Sequence, residues 1–132
     1  MSCDFGIWHT DKPITPREAQ RLYERLCEGE GSVVEPHVAV DALYQELTAS
    51  HPEIDDVPEE RLDDHELCPW SCAMDRTPGS LVICSVWSRA DQTKALLLDL
   101  VTKHGLTLYD PQAGVVHQPP GLAKRRPWWK LW

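Results

Sequence analysis

The sequence predicts an α/β or α+β domain built as a two-layer sandwich, with elements in the order β-α-α-β-α-β and an edge hairpin at the C-terminal end. Three observations carry this expectation. The stretch from Leu81 to Gln112 reads as strand, helix, strand, and two further helical patterns lie between it and a short N-terminal strand. The length of 132 residues, 42% of them hydrophobic, suits one compact domain that buries its apolar surface without metal or disulfide staples.

Phe5-Gly6-Ile7-Trp8-His9-Thr10 is short, aromatic and β-branched, as a first strand should be. Thr15-Pro16-Arg17-Glu18 combines an N-cap threonine, proline at the first helical position and glutamate at the third. Helix one therefore starts at Pro16 and buries Ala19, Leu22, Tyr23 and Leu26. Val40, Leu43, Tyr44 and Leu47 repeat that spacing, which predicts a second helix from about residue 37 to 49. Leu81 to Trp87 is near-continuously apolar or β-branched and suits a strand buried on both faces, with Trp87 in the core. Ser88 with Asp91 is placed to cap the next helix, which buries Leu97 and stops at His104-Gly105. A helix of about 16 residues, roughly 24 Å long, matches a strand of roughly 23 Å, so the crossover should bring Leu106 to Asp110 back parallel to and beside Leu81 to Trp87. Pro111 to Gly114 makes a turn, Val115-Val116-His117 an edge strand, and Gln118-Pro119-Pro120-Gly121 a stop. Residues 1–121 form the domain; 122–132, holding three of the six tryptophans, form a basic aromatic tail.

Charge divides the chain in the same place. Four of the 13 bases (Lys124, Arg125, Arg126, Lys130) sit in the last nine residues, which leaves nine bases against 21 acids, a formal −12, over residues 1–123. Such a body repels nucleic acid and favours a basic partner. The acids concentrate between Glu53 and Glu66, where Glu53, Asp55, Asp56, Glu59, Glu60, Asp63, Asp64 and Glu66 face one base, Arg61. Prolines at 52, 58 and 69 keep this stretch irregular, and connections of such length in a compact domain are either functional or mobile. Met1-Ser2-Cys3-Asp4 has no basic leader pattern and no apolar run reaches the 18 residues of a membrane span, so a cytoplasmic protein without membrane contact is expected. Five cysteines (Cys3, Cys27, Cys68, Cys72, Cys84) are odd in number and scattered, which suits reduced thiols rather than a secreted disulfide framework.

Two constellations could carry chemistry. His65, Cys68, Cys72 and Cys84 read as His-x2-Cys-x3-Cys with a distant fourth thiol, but zinc sites want a second close pair, and no metal is expected there. A cysteine nucleophile would need a histidine and an orienting carboxylate, and His104 and Asp110 flank the last strand. The seven glycines form neither G-x-G-x-x-G nor a P-loop, and no cofactor is implied.

Phe5-Gly6-Ile7-Trp8, Glu46-Leu47-Thr48-Ala49-Ser50-His51-Pro52-Glu53, Cys68-Pro69-Trp70-Ser71, Val86-Trp87-Ser88 and His104-Gly105-Leu106-Thr107-Leu108-Tyr109-Asp110-Pro111-Gln112 follow one another as landmarks. Over roughly residues 4–118 the chain resembles a family of small bacterial proteins that carry these landmarks in this order. The resemblance implies an immunity protein of a polymorphic toxin system. It supplies no catalytic residue set, and the tail departs from its pattern. The expected function is therefore binding rather than catalysis: an antitoxin-like protein that occludes a basic partner, a cognate toxin domain. Asp55, Asp56, Glu59, Glu60, Asp63, Asp64 and Glu66 would steer the encounter and Trp70 would anchor it. The alternative is a small cysteine- and histidine-dependent enzyme or a zinc-binding domain.

Overall fold

In the computed structural model, which describes residues 2–119, the chain forms an α+β fold. Five strands, β1 (Ser2–Trp8), β2 (Asp75–Thr77), β3 (Ser80–Val86), β4 (Thr107–Asp110) and β5 (Val115–His117), make one sheet in the order β2-β3-β1-β4-β5, and every neighbouring pair is antiparallel. Three helices, α1 (Pro16–Cys27), α2 (Val38–Ser50) and α3 (Ala90–His104), cover it. No helix among the described residues is long and apolar enough to cross a membrane. The tail from residue 122 lies outside the described residues.

The sheet is organised around β1. It pairs with β3 over its whole length, from Ser2 opposite Val86 to Trp8 opposite Ser80, and with β4 over Gly6 to Trp8. The crossover through α3 does return β4 parallel to β3, since both run against β1, but not beside it. β1 holds the place between them because its alternate residues are apolar on both faces: Phe5 and Ile7 look one way and Trp8 the other, all fully buried. β2 was not expected; Asp75-Arg76-Thr77 has no apolar alternation, and an edge strand needs none when its backbone bonds to β3 define it.

The helix starts and stops largely follow the sequence. Thr15 accepts the Glu18 N–H at 3.1 Å while the Glu18 carboxylate accepts the Thr15 N–H at 3.1 Å, a complete capping box. Gly105 ends α3 at φ 68°, the left-handed geometry that glycine adopts without strain. The start of α3 differs. Trp87 to Arg89 form a single helical turn before it, and neither Ser88 nor any other side chain caps the helix proper. That turn takes Trp87 out of the strand, so it is 54% exposed rather than in the core, whereas Leu97 is fully buried as expected.

The helices are divided between the two faces of the sheet. α2 and α3 pack Val40, Leu43, Leu47, Leu97, Leu100 and Val101 against Phe5, Ile7, Leu81, Ile83 and Leu108. α1 lies on the opposite face, where Ala19 and Leu26 join Trp8, Val82 and Tyr109 in a second, smaller cluster. The expected two layers thus gain a third, partial one. Its aromatics meet at a tilt, Tyr23 and Tyr109 at 5.5 Å between ring centroids and 56° between planes.

Candidate partner-binding surface

The acidic stretch is a strap with fixed points rather than a free loop. α2 ends at Ser50, and the indole N–H of Trp70 donates to the His51 carbonyl at 3.0 Å, capping that end. Glu53 accepts hydrogen bonds from the Tyr44 hydroxyl and, at 2.8 Å, from the Met74 N–H. Ile54 and Val57 turn inward and pack on the main core. Further on, Asp64 pairs with Arg61 at 2.9 Å, accepts the Leu67 N–H at 3.3 Å, and through its carbonyl accepts the Cys68 N–H at 2.9 Å. The Arg61 guanidinium and the Leu67 N–H hold the Asp64 carboxyl below the usual carboxylate range. Two short helical turns, Ile54–Asp56 and Glu59–Arg61, take up the slack between these points.

Six of the expected contact residues, Asp55, Asp56, Glu59, Glu60, Asp63 and Glu66, stand exposed on this strap. Asp64 is committed to the strap's own turn. Trp70 is no surface anchor: it is 2% exposed, set among Leu47, Val57 and Cys68 in the core, and bridged to Ser85 of β3. Packing therefore does shape a segment whose composition pointed to solvent alone. The sequence reading also missed the exposed tryptophan that exists, Trp87. The Val86 N–H donates to the Pro69 carbonyl at 2.7 Å, so the base of the Trp87 turn is tied to the chain emerging from the strap. A concavity of about 150 Å³ there is lined by His65, Glu66 and Pro69 on one side and by Arg89, Gln92 and Thr93 on the other. Burial, assisted by the Arg89 charge, holds the neighbouring His51 below the ordinary imidazole range.

Of the residues weighed for zinc and for nucleophilic catalysis, only Cys72 and Cys84 come together; the rest lie apart. Cys68 is 1% exposed in the main core, while Cys72 is exposed and Cys84 half-buried. Among the described residues no three His, Cys, Asp or Glu side chains are grouped to hold a metal ion. His104 sits at the end of α3 with its Nε2 3.1 Å from Glu46, whereas Asp110 receives Lys94 at 2.6 Å. Imidazoles and carboxylates share two concavities, one with His51, His65 and Glu66 and one of about 440 Å³ with His9, His37, Asp11 and Glu35, and no thiol lines either. In the second, the His9 and His37 rings stack at 3.9 Å and the His37 Nδ1 accepts the Ala39 N–H at the start of α2.

Compared with protein-family models, curated proteins and solved structures, the chain matches none of them.

Proposed function

We propose that the protein is a binding module of the immunity or antitoxin type, acting in the cytoplasm, which neutralises a basic toxin domain by covering it with the acidic strap. The observation that carries this is the display of six exposed carboxylates on a backbone pinned at Glu53, Val57, Asp64 and Trp70. A pinned backbone lets charges meet a partner without first being ordered, and preorganisation of this kind lowers the cost of association. Trp87, exposed beside the far end of the strap, takes the anchoring part that the sequence assigned to Trp70.

The test is charge reversal of Asp55, Asp56, Glu59 and Glu60 to lysine in the full chain. All four are exposed, so the fold should persist. Attraction between exposed charges is screened over roughly 8 Å at physiological salt, so the effect belongs to the association rate and its salt dependence. Co-purified partners identify the toxin. With that partner, the variant should associate more slowly and with a flatter salt dependence. Unchanged association and protection, together with loss of activity on substituting one cysteine in a protein that stays folded, would overturn the binding reading in favour of an enzyme.

A further inference from the structure

Residues 70–77 run beside β3 as one edge segment broken by a bulge. Trp70 bridges Ser85, the Ser71 N–H donates to the Cys84 carbonyl at 2.8 Å, and pairing resumes with Asp75 opposite Val82. From Ser71 to Asp75 the edge segment thus advances two residues further than β3 does over Cys84 to Val82. Extra residues of this kind bend a strand and re-aim its side chains. Here the bend carries the exposed Cys72 one residue past the Ser71–Cys84 bond, which sets its side chain beside the half-buried thiol of Cys84. Cys84 stands directly across from Asp4 in the β1–β3 register, with the Asp4 carboxylate beside its thiol. Of the other thiols, Cys3 and Cys68 belong to the core on the opposite face, and Cys27, exposed on α1, is engaged by the Tyr23 hydroxyl.

We propose that Cys72 and Cys84 are a dithiol that a hydroperoxide closes, reversibly, into an intramolecular disulfide. The exposed Cys72 thiolate attacks one peroxide oxygen; the O–O bond breaks, Cys72 becomes a sulfenic acid, and the leaving oxygen takes a proton to become water or an alcohol. The Cys84 sulfur then attacks the Cys72 sulfur. The S–S bond forms, the S–O bond breaks, and the hydroxyl takes a proton from solvent and leaves as water. Asp4 receives the Cys84 thiol proton as that attack occurs. In sum the two thiols give up two electrons and two protons, the peroxide is reduced, and a small thiol reductant reverses the change. The division of labour follows from environment. Burial, with the Asp4 carboxylate and Cys72 alongside, pushes the Cys84 thiol well above the ordinary thiol range, so it is the protonated, resolving partner and Cys72 the one that meets the oxidant. This site is separate from the acidic strap and does not depend on its proposed role.

Reduced full-length protein treated with hydrogen peroxide, quenched with an alkylating agent and mapped after trypsin tests the proposal. The expected product has lost two hydrogens, joins the peptide Leu62–Arg76 to Thr77–Arg89 through Cys72, and leaves Cys3, Cys27 and Cys68 alkylated. Dithiothreitol should restore the starting mass. Cys84→Ser should stop at a Cys72 sulfenic acid that dimedone traps, with dimers forming roughly a thousandfold more slowly than the intramolecular bond at micromolar protein, given the millimolar effective concentration of a tethered pair. Asp4→Asn should slow closure and shift its pH profile while giving the same bond; Cys68→Ser should change nothing. A bond mapped to Cys68 or Cys27, or a sulfenic acid at Cys72 in the wild type that persists beside an intact Cys84 thiol, would overturn it.

Discussion

Replacing Asp110 by alanine should cost about 2–3 kcal/mol, somewhat below the usual range for breaking a buried pair. Asp110 is 4% exposed, and its carboxylate accepts four hydrogen bonds: from Lys94 at 2.6 Å, the Gln112 N–H at 3.0 Å, the Gln112 side-chain amide at 2.7 Å and the Ala113 N–H at 3.3 Å. Breaking a buried pair by removing one partner ordinarily costs about 3–5 kcal/mol, because the other charge is stranded. Lys94 is 31% exposed and can turn to water, and so can the N–H groups of the exposed Gln112 and Ala113, which discounts the figure. The knot also does work at a distance. β4 pairs with β1 only as far as Gly6, and beyond that point the Gln112 amide substitutes for the missing strand, accepting the Asp4 N–H at 2.7 Å and donating to the Asp4 carbonyl at 2.8 Å. For a domain of this size the loss corresponds to a fall of about 6–15 °C in melting temperature.

The same substitution has a pH signature. Burial alone would raise the Asp110 carboxyl, but the Lys94 ammonium and the Ala113 and Gln112 donors outweigh it, and the group is held below the usual carboxylate range. A carboxyl depressed in the folded state contributes stability above its unfolded value of about 3.9 and loses it as pH falls through the folded value. The gap between wild type and Asp110→Ala should therefore be full at neutral pH and narrow on acidification below about pH 4. Denaturant melts across that range, with Lys94→Met to close a double-mutant cycle, measure both effects. A loss under about 0.5 kcal/mol, the range of ordinary surface positions, or a gap unchanged by acid, would refute the reasoning.

Leu97→Ala should cost about 2–5 kcal/mol in a denaturant melt as a large-to-small change at a fully buried site, whereas Trp87→Ala should cost no more than about 0.5 kcal/mol and remove mainly long-wavelength tryptophan emission. Gly79→Ala should destabilise by about 1–3 kcal/mol in the same assay, because an added methyl group would run into the Glu35 carbonyl oxygen, a backbone atom that cannot swing aside. His51 is depressed by burial and by Arg89, and His117 by burial and Lys94, the latter against the opposing pull of Asp110. Imidazoles that stay neutral when folded make stability fall as pH drops below their unfolded value of about 6.5, and His51→Gln should flatten that slope between about pH 6.5 and 5.

What was legible in the sequence was whatever is fixed by neighbours in the chain. The Thr15-Glu18 capping box, the proline at the start of α1, Gly105 and the Val115–His117 hairpin strand each depend on contacts a few residues apart, and each appears where its residues predict. Strand order was not legible, because periodicity says which face is apolar but not which strand lies alongside. Trp87 misled because an apolar run continues for one residue after the backbone has turned out of β3. Trp70 misled for the opposite reason. It lies close to acids and prolines in sequence, yet its ring is fixed by a carbonyl 19 residues earlier and by core residues from distant elements. The meeting of Cys72 with Cys84 depends on a bulge in an edge strand that itself left no pattern.

Most of the residues singled out as sequence landmarks serve the fold first. Trp8 and Trp70 are buried, and Glu46 ties α2 to Lys103 and His104 at the end of α3, at 2.8 and 3.1 Å. Glu53 joins Tyr44 to Met74, and Asp110 and Gln112 complete the pairing of β1. These residues bind one another, so they define a scaffold and leave few groups for a partner. The strap carboxylates are the converse: Asp55, Asp56, Glu59, Glu60, Asp63 and Glu66 lie between fixed points and, apart from Arg61, which Asp64 occupies, share their stretch with no base. Substitutions among them should leave the scaffold within about 0.5 kcal/mol of its starting stability, the usual range for surface positions. A scaffold that turns most of these residues inward, with Trp87 left exposed, can tolerate change on its charged rim. If the strap meets a partner as proposed, the sign and spacing of its charges, rather than the residues of the scaffold, set the specificity.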